Sequence, residues 1–362
     1  MPQENSEANV RVGLIGSGSV ACRVHLPGLR LCPGVEIAAV CSADDDAGQK
    51  TGVTPVYRSY QQMLEQPGID AVVIATPNHL HREMALAAFA AGKHVLCEKP
   101  LALNAAEGEE MLAAARQSGR VHMTAFTYRF TPAVRYLKHL VEQGELGAIR
   151  VVRASYLMAL STHLLGWRSS KTLAGSGVLG DIGSHVIHLV QWLAGDITSL
   201  TARSRVFRDD PSSDVEDWIG FLAEFAAGAS GTFEISRACP GRGTDITENM
   251  QIELYGANGA AVFSLQDPWG LRVVRGDAGR DPERLLERID VPESFLKLAG
   301  SLRNVCEGEK RWAYRYDQAF QFIRSVRTGV VEPPSFEDGL RCQKVLDAAL
   351  ASSRTSKWLE VG

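Results

Sequence analysis

Apolar and polar positions in the first third of the chain alternate between two periods. Short β-branched or apolar runs at Val10–Ile15, Val35–Cys41 and residues 71–76, 93–97 and 121–126 predict strands. Between them the pattern suits helices at residues 20–31, with Pro27 as a kink, at 43–51, at 79–91 and at Ala105–Ser118. Gly92 and Gly119 stand where the last two should stop, since glycine accepts the left-handed conformation of a helix terminus. Residues 71–76 form a continuous apolar run, as a parallel strand covered on both faces requires. Strand–helix alternation predicts a parallel sheet with helices on both faces.

From about residue 127 the pattern changes. After a helix at Pro132–Glu142, a strand at 149–158 and a helix at 181–193, strand patterns follow one another. They lie at 197–207, Trp218–Phe225, Ser230–Ser236, 251–255, Gly259–Ser264 and 271–274. Consecutive strands joined by short turn-like links predict an antiparallel sheet. Two amphipathic helices, about 311–327 and 336–353, close the chain. The expected division is residues 1–126, α/β, and 127–362, α+β.

Length agrees: 362 residues, at ~150 per domain, suggest two domains. A formal charge of −4 removes the electrostatic argument for nucleic acid, which needs a basic face to displace counterions from phosphates. Seven cysteines without a C-x-x-C pair read as reduced thiols in a cytoplasmic protein. The N-terminal residues 1–9 are polar and acidic, unlike a signal or transit peptide. No uninterrupted apolar run approaches the ~18–20 residues of a membrane span, so no membrane partner is expected.

Four motifs carry chemistry. Gly16, Ser17, Gly18, Ser19 and Val20, with Ala21, follow the first strand and open a helix. A dinucleotide pyrophosphate needs such a turn, where backbone N–H groups approach without side chains in the way; the alternative is a tight turn without a ligand. The acid expected after the second strand, to hold the adenine ribose, is replaced by Ser42. Either Asp44 reaches round or a 2′-phosphate is accepted, and a solvated helix start is the preferred reading of Asp44 to Asp46. The cofactor is therefore NAD or NADP, with activity expected from both and less than about a hundredfold preference, under ~2.7 kcal/mol. Thr76, Pro77, Asn78 and His81 lie where the strand at 71–76 ends, the edge at which doubly wound sheets bind ligands; His81 is as readily structural. Glu98 and Lys99, before Pro100, end the next strand, which poises the lysine over the nicotinamide position.

The fourth motif is the glycine-rich run from Gly175 to His185. Asp181 and His185, four apart on a helix, share one face, and a carboxylate beside an imidazole is the arrangement of a general base. A metal site using Asp181, His185 and His188, or a purely structural pair, is the alternative; no metal is expected.

Together these motifs resemble the Gfo/Idh/MocA family, glucose–fructose oxidoreductase and inositol dehydrogenase among its members. The resemblance rests on A-T-P-N-H-L-H at 75–81, G-K-H-V-L-C-E-K-P at 92–100, F-T-Y-R-F-T-P at 126–132 and G-S-G-V-L-G-D-I-G-S-H at 175–185. It implies an N-terminal Rossmann domain, a C-terminal domain on an open, mostly antiparallel sheet, and NAD(P)-dependent oxidation of a secondary hydroxyl on a sugar or cyclitol. By motif, Lys99 matches the active-site lysine, and Asp181 and His185 match the helix pair. Two positions depart from the family: His188 stands where an acid is usual, and Thr127 replaces an asparagine before Tyr128 and Arg129.

The resulting expectation is a dehydrogenase in which His185 takes the hydroxyl proton, Asp181 orients it and Lys99 holds the substrate oxygen. Tyr128, Arg129, Trp167, Arg168 and His188 are the candidate substrate contacts. A glycosidase or epimerase with tightly held NAD, and a non-catalytic dinucleotide sensor, are the rival readings. A homodimer or homotetramer is expected through the C-terminal sheet, whose faces carry Trp218, Phe221, Phe225, Phe233 and Ile235.

Overall fold

A computed structural model describes residues 9–159, 165–207, 213–243, 248–276, 284–299, 301, 303–305 and 313–362. Residues 1–8, Cys306 and the first two positions of the expected helix at 311–327 lie outside the described residues. The chain forms two units. The first comprises the described parts of 1–102, 106–127 and 299–340, and the second those of 103–105, 128–298 and 341–362.

In the first unit six strands, β1 Val10–Ile15, β2 Val35–Cys41, β3 Val56–Tyr57, β4 Ala71–Ile74, β5 His94–Cys97 and β6 His122–Thr124, form one parallel sheet. Their order is β3-β2-β1-β4-β5-β6. This is the doubly wound dinucleotide-binding order, whose ligand crevice lies at the carboxyl ends beside the reversal between β1 and β4. Every residue of β4 is buried, as its unbroken apolar sequence predicts.

Pro27 lies inside one helical run: a π-helical turn, Ala21–His25, leads without a break into the α-helix Leu26–Arg30, and the π-turn just ahead of Pro27 is the distortion that a proline without an N–H requires. The helix expected at 43–51 forms only over Ala47–Thr51. β3 was not legible because two residues carry no period.

The linear division at residue 126 is corrected by the helix Asp317–Thr328. Its Ala319, Phe322 and Ile323 are buried in the same core as Val12, Leu14, Leu26, Leu29 and Val73. Its apolar stripe was readable in the sequence, but the surface that stripe covers was not. At ~25 cal/mol per Å² of apolar area, burying Phe322 and Ile323 contributes about 2 kcal/mol each, so residues 299–340 complete the first unit.

The second unit holds nine strands: β7 Ile149–Leu157, β8 Ile197–Arg205, β9 Trp218–Phe225, β10 Ser230–Ser236, β11 Met250–Gly256, β12 Gly259–Ser264, β13 Gly270–Arg275, β14 Glu287–Asp290 and β15 Leu359–Glu360. They form one open sheet in the order β14-β13-β12-β11-β7-β10-β9-β8-β15. Neighbours are antiparallel except β7 and β10, which run parallel. β14 and β15 are short and mixed in polarity, and so escaped the period.

Alternation sets the two faces. Ile219, Phe221, Ala223 and Phe225 of β9 are buried, as are Phe233 and Ile235 of β10, with the Phe221 and Phe233 rings stacked at 4.3 Å. Four of the five residues expected to offer an association surface are therefore core. The opposite face carries Val151, Leu222 and the polar Thr232 and Glu234, with Trp218 half-buried. The stretch Lys171–Ala194 has the length and apolarity of a membrane span, but 83% of its most apolar window is buried inside the fold.

Candidate active site

In the first unit the chain leaves β1 at Gly16 with φ +108°, and a side chain there would collide with the Ala75 carbonyl. Only glycine accepts both constraints. At Gly18 no atom of the described residues lies within 4 Å of the position a Cβ would take. Ser19 is exposed and Ala21 is fully buried. The loop thus keeps a side-chain-free face clear for a ligand and packs at its third position, so the residues fit a dinucleotide pyrophosphate.

Asp44 keeps the solvent exposure of a helix start, ahead of the helix Ala47–Thr51, and its carboxylate also turns back toward Ser17 and Ser42. Its carboxylate accepts a hydrogen bond from Ser17 Oγ at 2.7 Å, and its backbone N–H donates to Ser42 Oγ at 3.1 Å. The Ser17 and Ser42 hydroxyls are themselves 2.7 Å apart. The Ser17 hydrogen bond, then Lys50, hold the Asp44 carboxyl below its ordinary value. Arg58, the nearby cation on the other flank, is spent on Asp45 and on the Ser42 carbonyl. The negative group therefore folds back onto the dinucleotide loop.

Beyond β4, Asn78 is buried and Thr76 half-buried. His81 is fully buried, its ring nitrogens 3.0 and 3.1 Å from the carbonyl oxygens of Pro100 and Thr76. Burial pulls its pKa down. His81 braces the two strand-end turns. Glu98 is likewise a brace: Oε1 lies 2.8 Å from His25 Nε2, and Oε2 accepts the Lys99 N–H at 3.2 Å. Burial alone would raise the Glu98 carboxyl, yet His25 and Lys99 together hold it below the usual carboxylate range. His25 therefore orients the turn that carries half-buried Lys99, linking it to the helix that follows the dinucleotide loop. Sequence reading missed His25; the available signal was one imidazole among the apolar residues of that helix.

In the second unit Asp181 lies in a π-helical turn, Leu179–Gly183, and His185 in the α-helix Ser184–Ala194 that continues it. The wider turn means that α-helical spacing does not by itself give their geometry. Asp181 Oδ1 is 3.3 Å from Arg168 Nε, and the Arg168 guanidinium covers the Trp167 ring at 4.4 Å. The Tyr128 ring meets His185 edge-on at 4.5 Å, and its hydroxyl is 3.3 Å from that of Tyr156. His188 is buried, one turn along the same helix. Arg129 lies over the Trp192 ring at 4.1 Å. The unit thus assembles two neighbouring sets, an acid–guanidinium–indole group and a histidine–tyrosine group. Among the described residues no cluster of three histidines, cysteines or acids is arranged to hold a metal ion.

Comparison with known proteins agrees with this layout. Residues 10–126 match the oxidoreductase family with an NAD-binding Rossmann fold, and residues 134–262 match the GFO/IDH/MocA C-terminal domain. The chain is 30% identical over 388 aligned residues to levoglucosan dehydrogenase of Pseudarthrobacter phenanthrenivorans, covering 98% of each chain. A levoglucosan dehydrogenase structure in complex with NADH and levoglucosan superposes with TM-score 0.87 at 29% identity, covering 98% of this chain and 99% of that one. An oxidoreductase domain protein from Kribbella flavida gives TM-score 0.85 at 33% identity, over 98% and 100% of the two chains. Family match, parallel sheet and open glycine loop coincide, and the chain belongs to the Gfo/Idh/MocA family of NAD-binding oxidoreductases.

Proposed function

We propose that the protein oxidises a secondary hydroxyl of an unidentified sugar, cyclitol or related polyol, with NAD as the hydride acceptor. The observation that carries this reading is that the open dinucleotide loop and Lys99 stand at the carboxyl edge of one sheet. The levoglucosan dehydrogenases named above, which act on an anhydrosugar by their name, support the substrate class. NAD, when bound, supplies the hydride chemistry.

The chain's own residues supply position and proton transfer. Lys99 offers an ammonium to the substrate oxygen as negative charge develops there. His185 accepts the hydroxyl proton, Asp181 steadies the imidazolium that results, and Tyr128 fixes the ring by its edge-on contact. Trp167 presents a flat face suited to a sugar ring, with Arg168 holding it against Asp181. Arg129 and His188 shape the same unit from farther along. Asp44, ionised and turned to the loop, takes the ribose hydroxyls and repels a 2′-phosphate, which favours NAD over NADP.

The exposed sheet face with Val151 and Leu222 suits a second copy of the chain. None of the six described cysteines is in a disulfide, which supports a reducing, cytoplasmic setting. The test is a panel of aldoses, inositols and anhydrosugars with NAD, followed by NADH absorbance. Net NADH formation with one class supports the reading, and NAD that stays bound and never exchanges while product forms would replace it with a tight-cofactor glycosidase or epimerase.

A further inference from the structure

The segment from Asp214 to Asp217, between the strands β8 and β9, contacts both the turn that carries Arg168 and the start of the turn that bears Asp181. The Asp214 N–H donates to the Ser169 carbonyl at 3.1 Å, and the Lys171 N–H donates to Asp214 Oδ1 at 2.6 Å. Those contacts hold the turn that carries Arg168. Two residues later the buried Glu216 carboxylate accepts the N–H groups of Gly177 and Leu179 on one oxygen, at 2.8 and 3.0 Å. Its own carbonyl accepts the Val178 N–H at 3.0 Å and Arg237 Nη2 at 3.1 Å. The Gly177 carbonyl in turn accepts the Asp181 N–H at 3.1 Å.

The approach is so close that a Cβ on Gly177 would collide with the Glu216 carbonyl and stand 2.8 Å from Arg237 Nη2. The segment is itself anchored. Arg237 Nε lies 3.4 Å from Asp217 Oδ1 with both side chains 1% exposed, and Asp217 Oδ2 accepts the Phe207 N–H at 2.9 Å. Burying a carboxylate costs several kcal/mol, so its retention calls for a compensating set of donors. Burial still pushes the Glu216 carboxyl above its ordinary value, and the amides of Gly177 and Leu179, at the start of the turn that bears Asp181, offset part of that cost.

We propose that Glu216 is a positioning residue: it sets the register of the Asp181 and His185 turn against the Arg168 turn, and so the geometry of proton transfer. The proposal rests on the reading of Asp181 and His185 given above. A misplacement of about 1 Å at a reacting group costs on the order of a hundredfold in rate.

The test uses the full chain with NAD and the substrate found by the panel, in four variants: Glu216→Ala, Glu216→Asp, Glu216→Gln and His185→Ala. Glu216→Ala should lower kcat about 10- to 100-fold. KM should change less, NADH affinity should stay within about twofold, and amide exchange at Gly177 and Leu179 should rise at least about tenfold. Glu216→Gln keeps the accepting oxygen and should recover most of kcat. Should Glu216→Ala fail to fold, Glu216→Asp decides, since it keeps the charge but withdraws the acceptor by one methylene. A kcat unchanged in Glu216→Asp, or unaltered exchange at the two amides, overturns the proposal. His185→Ala separates the failures. If it turns over normally, the proton-transfer reading falls and takes the proposal with it. If it is inactive while both Glu216→Ala and Glu216→Asp are fully active, Glu216 alone is discarded.

Discussion

Two loops of this chain share the spacing G-x-G-x-x-[GA], from Gly16 to Ala21 and from Gly175 to Gly180, and each runs into a π-helical turn continued by an α-helix. Their middle glycines are glycine for opposite reasons. A Cβ on Gly18 would meet open space, while one on Gly177 would strike the Glu216 backbone. The first loop is bare so that a ligand can approach. The second is bare because the chain's own segment already lies there. Identical spacing in a sequence therefore reports close approach of backbone to something, without saying whether that something is a cofactor or the protein. The shared π-helical turn adds that each carries a titratable side chain: His25, braced on Glu98, in one, and Asp181, beside Arg168, in the other.

If the second loop exists to hold the proton-transfer helix, the largest effect should come from the helix itself. His185→Ala should lower kcat/KM for the alcohol by ~10²–10⁴-fold, with NADH affinity nearly unchanged. Steady-state kinetics and fluorescence titration measure both; near-normal turnover in a folded variant would sink the assignment.

His25→Ala tests the brace on the first loop's side. Removing one partner of a buried pair should cost about 3–5 kcal/mol. The pH dependence gives the sign. Glu98 has a depressed folded-state value, so it contributes stability that is present above the ordinary carboxylate range and lost as pH falls through the folded value. Without His25 the burial effect dominates, and this contribution should shrink or reverse. Thermal unfolding of both proteins from neutral to acid pH measures it, and parallel curves would show that Glu98 draws its stabilisation elsewhere.

A crossed pair of glycine substitutions sharpens the comparison most directly. Gly177→Ala should destabilise the fold by about 1–3 kcal/mol through overpacking and leave NADH affinity alone. Gly18→Val should leave the melting temperature nearly unchanged and weaken NADH at least about tenfold, ~1.4 kcal/mol. If both substitutions act on stability, or both on cofactor affinity, the distinction between the loops fails.

The smallest effect concerns Asp44. Asp44→Asn should shift the kcat/KM ratio of NAD to NADP toward NADP by about tenfold, ~1.4 kcal/mol, by removing the charge without emptying the hydrogen bond to Ser17. An unchanged ratio would return the choice of cofactor to the open state in which Ser42 leaves it.

The sequence by itself determined what depends on near neighbours. The period of each apolar run placed β1, β2, β4 and β5 and the helices Ala105–Ser118 and Pro132–Glu142, because secondary structure answers to residues two to four positions away. For the same reason Gly16, Lys99 and the Asp181 to His185 segment were found at their strand ends and helix start. The tertiary structure alone decided whatever joins residues far apart in the chain. It paired His25 with Glu98, turned Asp44 onto Ser17, set Glu216 against Gly177 and sent the helix Asp317–Thr328 back into the first core. A local pattern states that a face is apolar or that a backbone must be bare. It cannot state what lies opposite, because that is fixed by contacts from distant segments, whose placement follows from burying many such faces at once.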